Sequence, residues 1–390
     1  MIIPRLALRN VLGAGLRTWL KVVVLSFVFV VIIWAQGFIN GLNEQAEQAQ
    51  VEAEYGGGQY WHENYDPYDP FSLQDAHGKV AEPLQKFIDN NQATPILIVQ
   101  GSIYPKGRLR PILIKGIDPS QRVVSLPSNV LHLEEEDLPV LIGRRMAKST
   151  GLQVGDYVTV QWRDVRGTFD ALDAQVVYIM STTVQSIDNN QIWVPLKKLQ
   201  MMTSMEDEAT LVVIDKNMEN PQNISGWTFK NLYFLLSDIR ELAQVKTFGS
   251  MIIYVILLFL SMLAIFDTQI LSIFRRRKEM GTLMALGLTR GKLILLFTLE
   301  GVLQGVLAAI VAAIYGVPLL LYSAAKGWTM PQITDSMGFA IGDKLFPVFT
   351  AELIIGTFAL VLIITTIVSY IPTRKISHLK PTDALRGSLS

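Results

Sequence analysis

The stretch Phe274–Gly301, FRRRKEMGTLMALGLTRGKLILLFTLEG, decides how the rest of the chain is read. It joins two long apolar runs through a short basic segment with helical patterning. Each Arg or Lys at mid-bilayer costs at least about 2.5–3.5 kcal/mol, so the run Arg275–Lys278 does not sit cheaply in hydrocarbon. The segment therefore lies at a membrane face, and the positive-inside bias makes that face cytoplasmic. A short cytoplasmic helix between two spans is well placed to receive a push from a soluble partner.

Composition supports a chain that is only partly in the membrane. Half of the 390 residues are apolar and the mean hydropathy is +0.33, which fits a few spans plus a sizeable soluble domain. The net charge of zero hides a contrast. Residues 43–247 hold 27 Asp and Glu against 18 Lys and Arg. Residues 1–21, 275–292 and 371–390 together hold 14 Lys and Arg and two acids, Glu279 and Asp383. A basic face and an acidic domain follow. With no cysteine, thiolate metal sites and disulfides are excluded.

Residues 1–21 place Arg5, Arg9, Arg17 and Lys21 among Leu, Ile and Trp, which predicts an amphipathic helix on the cytoplasmic membrane face. Residues 22–43 are uncharged and long enough for one crossing, and are read as an uncleaved first span. A polar helical extension reaches about Glu54, where Gly56–Gly58 end it before a Tyr/Asp/Pro loop. Residues 44–236 mix short β-type runs at 96–100, 112–115, 157–161, 175–180, 191–194 and 210–214 with helical patterns at 73–91, 143–150 and 196–203. This predicts an α+β domain, with room for two lobes. Residues 237–274 read as one helix, a polar stalk running into a second span. The segment 275–292 follows, then a third span at 293–323, a short loop at 324–345, a fourth span at 346–371 and a tail at 372–390. Four spans put both termini in the cytoplasm and the acidic domain, inserted between spans one and two, outside.

Chemistry has few residues to stand on. Asp267, Glu300 and Glu352 lie within or beside the spans, and an intramembrane acid is a functional-site hypothesis by default. They sit at different depths, however, so pairing or interfacial placement is the reading adopted, with Glu300 expected to meet Arg290 or Lys292. His62, His77, His132 and His378 are scattered without metal-site spacing. No GxxxxGK(S/T) phosphate loop and no GxSxG nucleophile turn occurs. The run Glu134–Asp137 reads as a solvated loop. Trp34, Phe38 and Leu42, with Gly37 and Gly41 at helical spacing, form an apolar stripe where helices can approach closely. Together with Tyr60 they are the candidate cargo-facing residues. Lipid-facing or core packing fits the stripe equally well.

Four stretches resemble the permease family of ABC transporters that includes MacB, LolC, LolE and FtsX. They are LALRNVLGAGLRTWL near the N-terminus, VLIGRRMAKSTGLQVGDYVTV in the outer domain, RRRKEMGTLMALGLTRGKLILLFTLEG, and IPTRKISHLKPTDALRG in the tail. In the third, Arg276, Glu279, Gly281, Ala285, Leu286 and Gly287 occupy the family's pattern. In the fourth, Pro381, Ala384, Leu385 and Arg386 do. The resemblance implies a membrane α-helical protein with four transmembrane helices and a large MacB-like α+β periplasmic domain, in the bacterial inner membrane. It implies a permease that dimerises with a second copy or a paralogue and binds two copies of an ATPase subunit. It departs from MacB in showing no fused N-terminal ATPase, so ATP and Mg are expected on that partner, and no cofactor on this chain. The ATPase-coupling role falls on Arg277, Glu279, Met280, Gly281, Met284, Ala285, Leu286 and Gly287. Mechanotransmission to periplasmic lobes that move lipoproteins or other amphiphilic or peptide cargo is the implied activity. A periplasmic adaptor or lipoprotein carrier and membrane lipid are further expected partners, and nucleic acid is not. An FtsX-like regulator that activates an extracytoplasmic hydrolase is the alternative.

Overall fold

The computed structural model describes residues 2–13, 15–132, 137–182, 184–218, 224–329 and 344–376. The segments 133–136, 330–343 and 377–390 lie outside the described residues. Most of the Glu134–Asp137 run, most of the 324–345 loop, His378 and the tail motif Pro381–Arg386 fall there. The chain divides into two units, residues 1–42 with 243–329 and 345–390, and residues 43–242 with 330–344.

The first unit is helical. Helix α1, Ile2–Gly13, stops short of the expected residue 21, because Gly15 takes a positive φ of 73° and breaks the path. Helix α2 then runs from Leu16 to Gln50, so the first span and its polar extension are one element. Helix α8, Ser237–Arg275, is likewise continuous from stalk to basic end. The unit is completed by α9 (Arg277–Ala285), α10 (Arg290–Lys326, with Pro318 inside) and α11 (Ala351–Ile376). Among the described residues, three stretches are long and apolar enough to cross a bilayer: Thr18–Tyr55, Arg290–Lys326 and Ala351–Arg374. In α8 the described apolar stretch, Met251–Leu260, is shorter.

Packing among the helices follows from their small and branched residues. Val22, Leu25, Phe29 and Val30 of α2 are buried with Ala308 and Ala312 of α10 and Val361 of α11. Thr357, Thr365, Ser369 and Thr373 of α11 recur at helical spacing and are all buried. Small hydroxyl residues allow close approach. The Thr365 and Thr373 hydroxyls donate to carbonyls of their own helix, Leu362 and Ser369.

The second unit is built on a mixed nine-stranded sheet. Its strands are β1 (Gly58–His62), β3 (Ala93–Ile103), β4 (Arg110–Ile117), β5 (Leu138–Gly143), β6 (Tyr157–Arg163), β7 (Phe169–Met180), β8 (Gln191–Pro195), β10 (Leu211–Ile214) and β11 (Trp227–Lys230). Two short strands, β2 (Gly78–Lys79) and β9 (Glu208–Ala209), pair beside it. The order is β11-β1-β10-β3-β4-β8-β5-β7-β6, and β6 also pairs with the second half of β3. Six strands therefore close into a ring, and β10, β1 and β11 extend from the first half of β3.

Alternation explains what fills the ring. Leu97, Val99 and Ile103 of β3, Ile112 and Ile114 of β4, Val140 and Ile142 of β5, Val158, Val160 and Trp162 of β6, and Ile192 and Val194 of β8 share one buried cluster. Each set is spaced by two or four residues, so every strand turns the same face inward. The intervening Ile96, Ile98, Ile117, Leu141 and Trp193 join a second cluster with Ala53, Trp61, Leu211 and Val213 on the opposite face.

The short helices in this unit are α3 (Glu82–Asp89), α4 (Arg144–Thr150), α5 (Gln185–Asp188), α6 (Leu196–Thr203) and α7 (Leu232–Leu235). The helix expected over 73–91 forms only as α3. Gly78 and Lys79 are taken up by β2, and Pro83 fixes the helix start instead. The strand β5 shows no alternation in sequence because all six of its residues are buried.

Candidate functional site

The basic segment folds into a compact helical hairpin within the first unit. Arg276 leaves the helical path between α8 and α9, with φ −96° and ψ 15°. At the far end the chain reverses through a Schellman motif. The Leu288 N–H reaches the Leu283 carbonyl at 3.0 Å and the Gly287 N–H reaches the Met284 carbonyl at 3.1 Å. This turn needs a left-handed residue, and Gly287 supplies it at φ 93°.

Met280, Leu283 and Met284 of α9 pack with Leu288 and with Leu293 and Phe297 of α10, and Met280, Leu293 and Phe297 are each about 2% exposed. The other face of α9 carries Glu279, Thr282 and Ala285, all exposed, and ends on Leu286, which is 80% exposed. Leu286 thus leaves a large apolar side chain in solvent at the tip of a helix whose Met280, Leu283 and Met284 are packed. The expected coupling residues thus divide. Met280, Gly281 and Met284 face the fold, and Glu279, Ala285, Leu286 and Gly287 face outward. Arg277 begins α9.

A buried carboxylate ties the hairpin down. Glu300 of α10, 6% exposed, accepts from Arg276 Nη1 at 2.8 Å and from Asn10 Nδ2 of α1 at 2.7 Å. Arg276 Nε also donates to Glu279 at 2.8 Å, and its guanidinium lies 5.0 Å from the centre of the Phe297 ring. Burial works to lower the Arg276 pKa, but the Glu279 and Glu300 carboxylates outweigh it and hold it above its ordinary value. Glu300 therefore pairs with Arg276 rather than with Arg290 or Lys292. Those two sit in the first turn of α10, two to three turns from Glu300, whereas the break at Arg276 brings its guanidinium beside that carboxylate. Sequence spacing gave no sign of the Asn10 contact.

The other acids are less engaged. Asp267 is exposed on α8. Glu352 is exposed in the first turn of α11, where a carboxylate is favoured by the helix N-terminus.

Of the cargo-facing candidates, Tyr60 is a misassignment. It is fully buried in β1, 5.1 Å from the Phe229 ring, because β1 lies between β10 and β11. Trp34, Phe38 and Leu42 are half-buried on α2. The Trp34 ring meets Phe38 at 5.6 Å and Trp328 at 5.4 Å, and both indole N–H groups reach the Ser323 hydroxyl. Gly37 and Gly41 face the 346–349 segment of the same chain. The Val348 N–H donates to the Gly37 carbonyl at 2.8 Å, and a Cβ at Gly41 would lie 2.1 Å from the Phe346 carbonyl oxygen. Among the described residues, no three His, Cys, Asp or Glu side chains gather as metal ligands.

Comparison with known proteins bears on the same regions. The family described as FtsX-like permease C-terminal matches residues 251–381, which contain the whole hairpin. The lipoprotein-releasing system transmembrane protein LolC of Neisseria meningitidis serogroup B is 21% identical over 355 residues, 78% of this chain and 80% of its own length. The macrolide export ATP-binding/permease protein MacB of Escherichia coli is 20% identical over 233 residues, 55% of this chain and 34% of its own length. The chain thus spans about a third of that relative. A helical membrane unit carrying a basic hairpin, matched in this way, resembles the permease subunits of ABC transporters. Within that class the likeness is to the FtsX-like permease C-terminal family over residues 251–381, and to LolC and MacB.

Proposed function

We propose that this chain couples ATP hydrolysis on an ATP-binding partner to motion of its α+β domain, by force passed along continuous helices. The observation that carries this reading is the hairpin. Its exposed face of Glu279, Thr282, Ala285 and Leu286 offers a docking handle, and the Arg276–Glu300–Asn10 knot fixes that handle to α10 and α1. A handle that swung freely would dissipate a push; one fixed by a buried ion pair and an apolar cluster passes it on. Four spans are proposed, with α8 supplying the second, both termini cytoplasmic and the acidic domain periplasmic. ATP and Mg are held by the partner, two copies of which serve a pair of permease chains, either identical or paralogous.

The cargo class proposed is amphiphilic, a lipoprotein or a peptide, moved from the outer leaflet or periplasm. The alignment with a lipoprotein-releasing protein over most of both chains supports it. A periplasmic adaptor or lipoprotein carrier is the expected acceptor, and Trp34, Phe38 and Leu42, where they face lipid, are the proposed contact with an acyl chain. Purification from the native membrane in mild detergent tests the core claim. An ATP-binding protein is retained by the wild type and lost from Leu286→Asp. Absence of any ATPase from the wild-type preparation refutes it. Retention of the ATPase with a bound extracytoplasmic hydrolase and no released cargo selects the regulator instead.

A further inference from the structure

The way α2 enters the second unit carries an inference that rests on the reading above. The helix does not end in a linker. It widens into a π turn at Val51–Tyr55, closes at Gly56, and passes at Gly58 straight into β1. The junction is crowded. The Gly57 N–H donates to the Ile214 carbonyl at 2.7 Å, and a Cβ at Gly56 or Gly57 would lie 2.4 or 2.3 Å from the carbonyl oxygen of Ile214 or Asp215. Isolated π turns are rare and recur at functional places, because the wider turn re-aims one side chain.

Here the re-aimed side chain is Glu54. Its Oε1 accepts from Lys115 Nζ on β4 at 2.9 Å and its Oε2 from Gln50 Nε2 at 2.7 Å. Its backbone carbonyl accepts from Gln59 Nε2 at 3.0 Å, and Gln59 Oε1 in turn accepts from the Trp61 indole at 2.7 Å. Lys115 is 7% exposed and lies 5.2 Å from the centre of the Trp193 ring on β8. In the sheet, β1 and β4 are separated by β10 and β3. The carboxylate thus links the helix end to β4 of the closed ring across two intervening strands, beside the backbone bond from the Ser125 N–H to the Glu52 carbonyl at 2.7 Å.

Stability does not account for this arrangement. A buried ion pair is often matched or bettered by apolar residues of similar volume, and the surroundings are already apolar, with Ala53, Trp61, Ile96, Ile98 and Trp193 in one cluster. What an apolar contact lacks is resistance to sliding. A charge pair with a second hydrogen bond on the same carboxylate fixes one register. We propose that Glu54 and Lys115 are positioning residues that form a force-transmitting joint, locking the π turn so that displacement of α2 moves the ring as one body. Without the pair, the π turn is a hinge and the ring lags behind the helix.

The absence of native cysteine makes the test direct. The full transporter with its ATPase partner is placed in nanodiscs, with spin labels at Gln48→Cys on α2 and Phe169→Cys on the exposed end of β7. With a rigid joint the wild-type distance is narrow and unchanged by ATP and vanadate. In Lys115→Met, an apolar side chain of similar length, the distribution broadens and shifts on ATP. The ATPase rate stays within about twofold and partner retention is unchanged, while the melting temperature falls because Glu54 is left buried without its cation. The separation between copies, read from Phe169→Cys alone, then responds to ATP by less than a third of the wild-type shift. Should Lys115→Met fail to fold, Glu54→Cys with Lys115→Cys replaces it. A short bismaleimide across that pair then restores the fixed Gln48–Phe169 distance that the uncross-linked pair has lost. An unchanged distance in Lys115→Met, or identical behaviour with and without the cross-link, overturns the joint. A wild type that retains no ATPase, or whose copies do not move, overturns instead the coupling reading, and the joint falls with it.

Discussion

Removing the Arg276 side chain tests the knot that holds the hairpin. Arg276→Ala leaves the Glu300 carboxylate, 8% exposed as a side chain, without its cation. Breaking one partner of a buried pair costs about 3–5 kcal/mol because the orphaned charge stays buried. Three features here lower that figure. Arg276 is 24% exposed, Asn10 still donates to Glu300, and Lys21 is close enough to feel the Glu300 charge. A loss of about 2–3 kcal/mol is expected, including the cation–π contact with Phe297 at about 0.5–1 kcal/mol. The Glu279 arm contributes little, since a pair with a partner 64% exposed is worth about 0–1 kcal/mol. The double variant Arg276→Ala with Glu300→Gln removes the orphaned charge as well, so it should be no worse than the single and better by about 1 kcal/mol. Thermal unfolding in detergent, followed by tryptophan fluorescence and by ATPase retention, reads the order. It runs wild type, then Glu279→Gln within error, then the double, then Arg276→Ala. If the double falls below Arg276→Ala by the full cost of a second lesion, Glu300 is not held by Arg276 and the knot is wrong.

Other outcomes follow from the same geometry. Gly287→Ala forces a side chain into a left-handed turn and should cost about 1–2 kcal/mol, lowering ATPase retention along with the melting temperature. Leu286→Asp changes an exposed tip and should leave stability within about 0.5 kcal/mol while abolishing retention, a separation that Gly287→Ala does not show. Tyr60→Ala should cost about 3–5 kcal/mol and render residues 43–242 protease-sensitive, the effect of a core lesion rather than of a lost cargo contact. Asp188 supplies a pH test. Burial raises its pKa against the lowering effects of Arg145 and Arg144, with Asp188 Oδ2 accepting from the Arg145 N–H at the start of α4. A carboxyl with a raised folded pKa contributes stability that is present below its unfolded value, near 4, and is lost as pH rises through the folded value. The wild type should therefore lose stability relative to Asp188→Asn as pH rises above about 4, and a flat difference there would refute the assignment.

The sequence by itself determined the parts of this protein that depend on one-dimensional pattern. The uncharged run after Lys21, the cations at 275–278 and the alternating runs such as Tyr157–Gln161 dictate where helices and strands form, because hydrocarbon and a sheet face each select residues by period. Tertiary structure alone decided which of these residues meet. Tyr60 reads as an aromatic beside a glycine-rich loop, and only the insertion of β1 between β10 and β11 buries it. Glu300 is 24 residues from Arg276 and 290 from Asn10, and Glu54 is 61 from Lys115. No local period reports such separations, because an ion pair across elements is fixed by where helix ends and strand order place two side chains, and that placement is a property of the packed chain rather than of any segment in it.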